Sequence, residues 1–313
     1  MKNADKSGLF DMVILGGGPA GFTAALYAAR AGLSALVLEQ LSPGGQMALS
    51  HQIDNYPGFE DGIDGFKLAQ KMEAQALRFG AVTELAGVRA VDLFSNPKVI
   101  QTSDGTFYAK TVVIATGAIP KTLGLPEEQA LTGRGLHYCA ACDGMFYRGK
   151  TVVVVGGGNS AAADALLLSR VAKKVVVVHR RDTLRAEKIY HAPLMDAENV
   201  EFRWNSEAVR FSHGDRLTGI RIRNKLSGTE EEIPCDGVFI SVGRRPATTL
   251  FEGQLKLDEQ GYLVADETTA TELPGVYAVG DVRTKPVRQV VTAVADGAVA
   301  VHMAEGFLSD REG

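Results

Sequence analysis

Residues 138–144 read YCAACDG: Cys139 and Cys142 stand two residues apart, and Asp143 follows the second directly. A Cys-x-x-Cys pair supports three chemistries. It can supply half of a zinc site, close a structural bridge, or cycle between dithiol and disulfide. Three cysteines in 313 residues do not make a disulfide scaffold. The opening MKNADKSGLF has no apolar stretch suited to export, so the thiols are expected to stay reduced in a cytoplasmic setting. The pair therefore reads as catalytic or metal-binding rather than structural. A carboxyl beside it can exchange the proton of a thiol, or simply cap the turn before Gly144.

Two long segments have the pattern needed to position and feed such a pair. Residues 11–40, DMVILGGGPAGFTAALYAARAGLSALVLEQ, run as apolar strand, glycine turn, small-residue helix and second strand. Gly16, Gly18 and Gly21 form G-x-G-x-x-G, and Glu39 closes the second strand 21 residues after Gly18. In this unit the first glycine allows the tight turn and the second lets a pyrophosphate approach the backbone. The third lets helix and strand pack closely. Pro19 and Ala20 suit the first helical turn, whose free N–H groups favour phosphate. Glu39 can accept from ribose hydroxyls.

The pattern recurs at 151–188, TVVVVGGGNSAAADALLLSRVAKKVVVVHRRDTLRAEK, 140 residues further on. Here Gly156, Gly158 and Ala161 form G-x-G-x-x-A, with Asn159 and Ser160 opening the helix. The second strand ends not in an acid but in His179-Arg180-Arg181, with Arg185 following. A carboxylate there would repel a 2′-phosphate, whereas a guanidinium cluster binds one bidentately. The second site is therefore expected to prefer NADPH over NADH.

Three further stretches complete the pattern. VVIATGA (112–118) is a buried strand running into Thr116-Gly117; GVYAVGDV (275–282) is a strand ending in Gly280-Asp281. RQVVTAVADGAVAVHMAEGF (288–307) reads as a C-terminal helix. The order predicts an α/β fold of two Rossmann-like nucleotide-binding domains, the second inserted into the first. Residues 1–117 and 246–313 would form one domain and 118–245 the other, with a strand-rich stretch at 200–240. ATGAIPKTLGLP and VGRRPATT are the expected crossings.

Composition sets the outer limits. The chain is 45% hydrophobic and 22% charged, with formal net charge −4, an ordinary globular balance. There is no basic surplus to suggest nucleic acid. No run of about 18 consecutive apolar residues suggests a membrane span.

The set GGGPAG, GGQM (44–47), NYPG (55–58), ATGA, CAACDG, GGGNSA, HRRDTLRAEK, GRRP and GDV…RQ resembles the low-molecular-weight thioredoxin reductases of bacteria and archaea, in order and spacing as well as content. The resemblance implies FAD in the first domain and NADPH in the second. It also implies a homodimer, and thioredoxin or a thioredoxin-like protein as partner. By position it places Gly45, Gln46, Asn55, Asp281, Arg288, Gln289 and Val290 at the flavin, beside the first glycine turn, Thr116, Gly117 and Gly280. It makes Cys139–Cys142 the redox-active pair, with Cys142 facing the flavin, Cys139 attacking the partner's disulfide and Asp143 as acid/base. It further implies that the inserted domain swings about the crossings to present nicotinamide and disulfide to the flavin in turn. One departure is visible: the family usually carries a Glu in the second-motif helix, where this chain has Ala163-Asp164.

Zinc fits the cysteine pair poorly. A structural site needs four ligands, and Cys235 stands alone while His137 has no partner at H-x₃₋₅-H spacing. Redox cycling fits best, and Cys235 reads as a small buried hydrophobe. Other readings of the same motifs have distinguishing features. An alkyl-hydroperoxide-reductase flavoprotein would carry a thioredoxin-like region ahead of the first strand. A dithiol oxidase would not need the arginine cluster, and a ferredoxin–NADP reductase would lack the Cys-x-x-Cys. A non-enzymatic flavin-binding protein would not need an intact electron path.

Overall fold

The computed structural model describes residues 8–49, 53 and 55–312. The chain divides into two compact units: Met1–Ile119 with Arg245–Gly313, and Pro120–Arg244. The divisions fall after Ile119 and Arg244, rather than after Gly117 and Arg245 as the sequence suggested. The difference has a local cause, because both crossings run through short strands, β7 and β16 below, that pair with each other.

The first unit opens with β1 (Leu9–Leu15), α1 (Pro19–Arg30) and β2 (Ala35–Glu39). It continues through α2 (Gly65–Arg78), β3 (Val82–Leu85), β4 (Val88–Asp92), β5 (Lys98–Thr102) and β6 (Thr106–Ile114). The chain crosses on β7 (Ala118–Pro120). In the second unit α3 (Glu128–Leu131) and β8 (Leu136–His137) lead to α4 (Ala140–Asp143), which contains Cys142 and directly follows Cys139. Then come β9 (Thr151–Gly156), α5 (Asn159–Ser169), β10 (Lys174–Val178), α6 (His191–Met195) and β11 (Val200–Arg203). An excursion β12 (Ser206–His213), β13 (Leu217–Asn224), β14 (Glu230–Pro234) precedes β15 (Gly237–Ser241). The return crossing is β16 (Arg244–Pro246), and the first unit closes with β17 (Val276–Ala278) and α7 (Val290–Glu312).

The first unit holds a seven-stranded sheet in the order β3-β2-β1-β6-β5-β4, with β17 also on β6. β3, β2, β1, β6 and β17 pair in parallel, and β4 and β5 join antiparallel at one side. The second unit holds a parallel five-stranded sheet, β11-β10-β9-β15-β8, and an antiparallel sheet β12-β13-β14. This is the α/β architecture the two repeats predict. The central strands are continuous apolar runs because helices or loops cover both faces: Met12–Leu15 and Val152–Val154 are essentially inaccessible.

Small residues decide how closely the helices approach. α1 buries Ala20, Gly21, Ala24, Ala25 and Ala28, and a Cβ on Gly297 of α7 would fall on the Ala20 carbonyl oxygen. α7 is long and apolar enough over Val290–Asp310 to cross a membrane by length and composition. Counting consecutive apolar residues did not signal this. Its packing is that of a core helix: Ala300, Val301 and Ala304 are buried with α1, and Asp296 is buried between Arg283 and Lys285.

Candidate functional site

The first glycine turn joins β1 to α1, and each of its glycines has a separate steric reason. Gly16 has φ +108°, and a Cβ there would lie 2.5 Å from the Ala115 carbonyl oxygen. A Cβ on Gly21 would strike the carbonyl oxygen of Gly16, so this glycine lets α1 press onto the turn. Gly18 has open space where its Cβ would be, leaving the backbone approachable from outside. Gly18 is the N-cap residue of α1 and Pro19 its first residue, with no side-chain cap. The first N–H groups therefore remain for an anion.

Of the other predicted residues of this unit, Glu39, Gly45 and Gly280 lie against the turn or the start of α1. Glu39, at the end of β2, accepts from Gly17 N–H at 2.7 Å through Oε2, and from the N–H groups of Gln40 and Leu41 through Oε1. Gly44 N–H donates to the Gly17 carbonyl at 2.7 Å, which brings the Gly45 segment against Gly18. Gly280 faces Ala20, and its N–H donates to Asp296 at 2.8 Å. Asn55 donates from Nδ2 to Gln289 Oε1 at 3.1 Å, linking positions 234 residues apart. Thr116 Oγ1 donates to the Ala247 carbonyl, and Ala247 N–H donates to Gly117. A cleft of ≈ 310 Å³ opens beside Gly16, Glu39, Thr116 and Arg245. Gln46 is exposed and Asp281 half-buried at the edge of the same unit. Arg288 stacks its guanidinium 3.8 Å from the Tyr262 ring centroid, and its Nε is buried with no hydrogen-bond partner. Val290 begins α7. Open backbone at Gly18, an acid at the strand end and a buried guanidinium atom without a partner fit a dinucleotide such as FAD.

The second turn repeats the backbone geometry with different chemistry. Gly156 has φ +152°, and a Cβ there would strike the Ser241 carbonyl oxygen and lie 2.8 Å from Ala161. Gly158 is open, like Gly18. Asn159 and Glu187 hold each other reciprocally: Asn159 Nδ2 donates to Glu187 Oε1 at 2.9 Å, and Glu187 N–H donates to Asn159 Oδ1 at 2.8 Å. Arg185 N–H donates to the Gly157 carbonyl at 2.7 Å, which folds the arginine loop onto the turn. Arg180, Arg181 and Arg185 are exposed, as is Ser160. Beneath them the His179 ring occupies the space a Cβ on Gly157 would need, and its Nε2 has no partner. Burial, with the charges of Arg185, Arg180 and Arg181, holds the imidazole below its usual pKa. An exposed guanidinium cluster over an open turn fits NADPH.

α4 presents the cysteines. Cys139 is disulfide-bonded and half-buried, while Cys235 is a free, buried thiol pushed up to about 12, mainly by burial. The side chain of Cys142 lies outside the described residues. Asp143 closes the turn: its N–H donates to the Cys139 carbonyl at 3.2 Å, and its Oδ2 lies 2.9 Å from His137 Nδ1. His137 Nε2 lies 2.7 Å from the Tyr147 hydroxyl, and its ring stacks on Phe239 at 5.3 Å. Asp164 of α5 bonds Ser241 and the Ala140 N–H, and burial raises its carboxyl despite these bonds and the charge of Arg244. The position occupied by Glu in the resembling family is thus taken up partly by exposed Ala163 and partly by an acid that anchors α4.

Sequence reasoning missed several of these residues. His137 and Tyr147 flank the cysteines at spacings that match no motif. Glu187 lies inside the quoted HRRDTLRAEK, but its bond to Asn159 depends on the fold. The Arg283–Asp296–Lys285 cluster that carries Gly280 gave no signal, since two cations and one acid spread over 14 residues look like an ordinary solvated stretch. Burial alone would raise Asp296; hydrogen bonds from Arg283, Lys285 and the Gly280 N–H outweigh it and lower the carboxyl.

Comparison with known proteins agrees with this geometry. The family model for pyridine nucleotide-disulphide oxidoreductases matches residues 10–297. A thioredoxin reductase of Streptomyces clavuligerus is 45% identical over 302 residues, covering 96% of this chain and 94% of that protein. One from Listeria monocytogenes is 42% identical over 308 residues, covering 98% and 96%. The crystal structure of Lactococcus lactis thioredoxin reductase (FR conformation) superposes with a TM-score of 0.87 at 39% identity, covering 96% of this chain and 99% of that one. The chain belongs to the pyridine nucleotide-disulphide oxidoreductase family and, within it, to the thioredoxin reductases.

Proposed function

We propose that the protein reduces the disulfide of thioredoxin, or of a thioredoxin-like protein, through its Cys139–Cys142 pair. When bound, NADPH supplies a hydride and FAD relays its two electrons to a disulfide. The observation that carries the reading is a disulfide-bonded Cys139 immediately before the short helix α4, which ends in Asp143, in the same compact unit as the arginine-rich turn. In that reading Gly18 and the start of α1 receive the flavin pyrophosphate, and Glu39 the adenosine ribose. Arg180, Arg181 and Arg185 hold the 2′-phosphate of NADPH. Cys139 attacks the partner's disulfide as a thiolate, forming a mixed disulfide that Cys142 resolves. Asp143 takes the proton of an enzyme thiol and returns one to the leaving partner thiolate.

Cysteines and arginines belong to one unit, and the chain passes between the units at β7 and β16, which suits a rotation of Pro120–Arg244 between two working orientations. A disulfide engineered between the units should keep FAD and lose turnover; full turnover in the crosslinked protein would rule the rotation out. The reading extends to a homodimeric cytoplasmic enzyme, which sedimentation and cell fractionation check. The test of the function itself is anaerobic mixing with NADPH followed by oxidised thioredoxin. Flavin bleaching, followed by thioredoxin thiols that appear only when Cys139 and Cys142 are intact, is the expected result. Bleaching without thioredoxin reduction would leave a reductase of a different disulfide.

A further inference from the structure

The acid after the second cysteine does not stand alone. Asp143 Oδ2 lies 2.9 Å from Nδ1 of His137, and Nε2 of His137 lies 2.7 Å from the Tyr147 hydroxyl. The histidine is buried and fixed on three sides: Phe239 stacks on it, Tyr147 meets it edge-on, and β8 pairs with β15 through His137 itself. Tyr147 is 3% exposed, and burial raises its hydroxyl, so it is a neutral donor at working pH. A Tyr147 O–H that donates to Nε2 leaves an N–H on Nδ1, directed at Asp143. Asp143 remains about one-third exposed, with side-chain accessibility of 32%. One carboxylate oxygen is thus held from the buried side while the residue stays reachable from solvent.

We propose that His137, backed by Tyr147, is the positioning residue of Asp143 and holds in place the carboxylate that carries the proton of thiol exchange. The proposal rests on the acid/base reading of Asp143 given above. The proton count closes as follows. The enzyme thiol that becomes nucleophilic gives its proton to the Asp143 carboxylate, whose other oxygen stays bonded to His137 Nδ1–H. An S–S bond forms between Cys139 and the partner as the partner's S–S bond breaks. Its leaving thiolate takes the proton from Asp143, which returns to the carboxylate. Cys142 then attacks Cys139 of the mixed disulfide: the Cys139–Cys142 bond forms as the mixed S–S bond breaks, and the Cys142 proton passes by Asp143 to the second leaving thiolate. Two electrons and two protons pass from the enzyme dithiol to the partner over the whole exchange, and the His–Asp pair ends as it began. The charged groups facing the chain are Asp143 on α4, Arg216 before β13, Asp236 before β15, and Lys150, whose ammonium lies 5.6 Å from the Tyr147 ring centroid.

The test uses the flavin-loaded enzyme, with anaerobic flavin bleaching by NADPH as the reference for loading and folding in each variant. The rate of thioredoxin reduction by the pre-reduced enzyme is then followed from pH 5.5 to 9. His137→Phe keeps a flat ring on Phe239 but removes the donor. It should slow exchange roughly tenfold, a part of the ~10²–10⁴-fold that a positioned acid/base supplies, and change the shape of the pH profile. His137→Asn keeps an N–H donor near the Nδ1 position and should recover most of the rate and of the profile. Tyr147→Phe removes only the backing hydroxyl and should show a weaker form of the same change, which keeps the test open should His137→Phe fold badly. Wild-type rates and profile in both His137→Phe and Tyr147→Phe, with Asp143→Asn impaired, would overturn the proposal and leave the acid/base reading intact. An unimpaired Asp143→Asn would instead overturn the acid/base reading itself.

Discussion

The two glycine turns have nearly the same backbone and opposite strand ends. In the first, Gly17 N–H binds the Glu39 carboxylate. In the second, the corresponding Gly157 packs against the His179 ring, with three arginines above it. Both open the second glycine of the motif to solvent, at Gly18 and Gly158. The shared part is steric and the divergent part electrostatic; in the function proposed above, the first sets where a pyrophosphate lies and the second which dinucleotide is held. Anion binding at a helix start is common to both, while the charge at the end of the neighbouring strand selects between hydroxyls and a phosphate.

The largest effects should come from attacking what the turns share. Gly16→Ala and Gly156→Ala place a Cβ against the carbonyl oxygens of Ala115 and Ser241 at positive φ. Each should cost on the order of 3 kcal/mol or more. Denaturant unfolding should register the loss in both, with flavin content falling in Gly16→Ala. Next comes the divergent part. Arg180→Ala with Arg181→Ala removes charged hydrogen bonds each worth about 1.5–3 kcal/mol, so NADPH KM should rise roughly 10- to 100-fold or more. NADH turnover should change little; an equal loss with both nucleotides would mean that the arginines do not read the 2′-phosphate.

Smaller effects sharpen the comparison. Gly18→Ala and Gly158→Ala meet open space, so unfolding of the protein without ligand should move by no more than about 0.5 kcal/mol. Gly18→Ala should nevertheless weaken flavin retention and Gly158→Ala should raise NADPH KM. The smallest effect is a pH dependence confined to the second turn. His179 has its folded pKa lowered from 6.5 by burial and the three arginines. Below about pH 6.5 the unfolded chain therefore binds more protons than the folded one, so stability is present above that pH and is lost as pH falls through the lowered folded value. Hydrogen-exchange protection in β9 and β10 should decline on acidification from pH 7 to 5, and His179→Asn should flatten that decline. Among the described residues the strands around Glu39 have no such buried imidazole, and they serve as the control.

Much of the site was legible because it depends on short spacings. G-x-G-x-x-G at 16–21 and G-x-G-x-x-A at 156–161 each encode a turn, and the clash distances at Gly16, Gly21 and Gly156 are the physical content of those letters. The Cys-x-x-Cys and the arginines after Val178 were equally readable, since their chemistry does not depend on distant partners. Residues that act in pairs across the chain were not readable in this way. The Asn55–Gln289 bond spans 234 positions, and the buried Arg283–Asp296–Lys285 cluster looks like ordinary surface charge until α7 closes over it.

The sequence by itself therefore determined the two glycine turns, the inserted order of the units, the spacing of the cysteine pair and the charge that separates one turn from the other. These are local properties: steric room at a glycine, the apolar run of a buried strand, the sign of a side chain at its end. Only the tertiary structure decided that His137 lies between Asp143 and Tyr147, that Asp164 anchors α4 rather than facing solvent, and that α7 spends its apolar face on α1. Those outcomes depend on which side chains are desolvated together, and desolvation is a property of the packed chain.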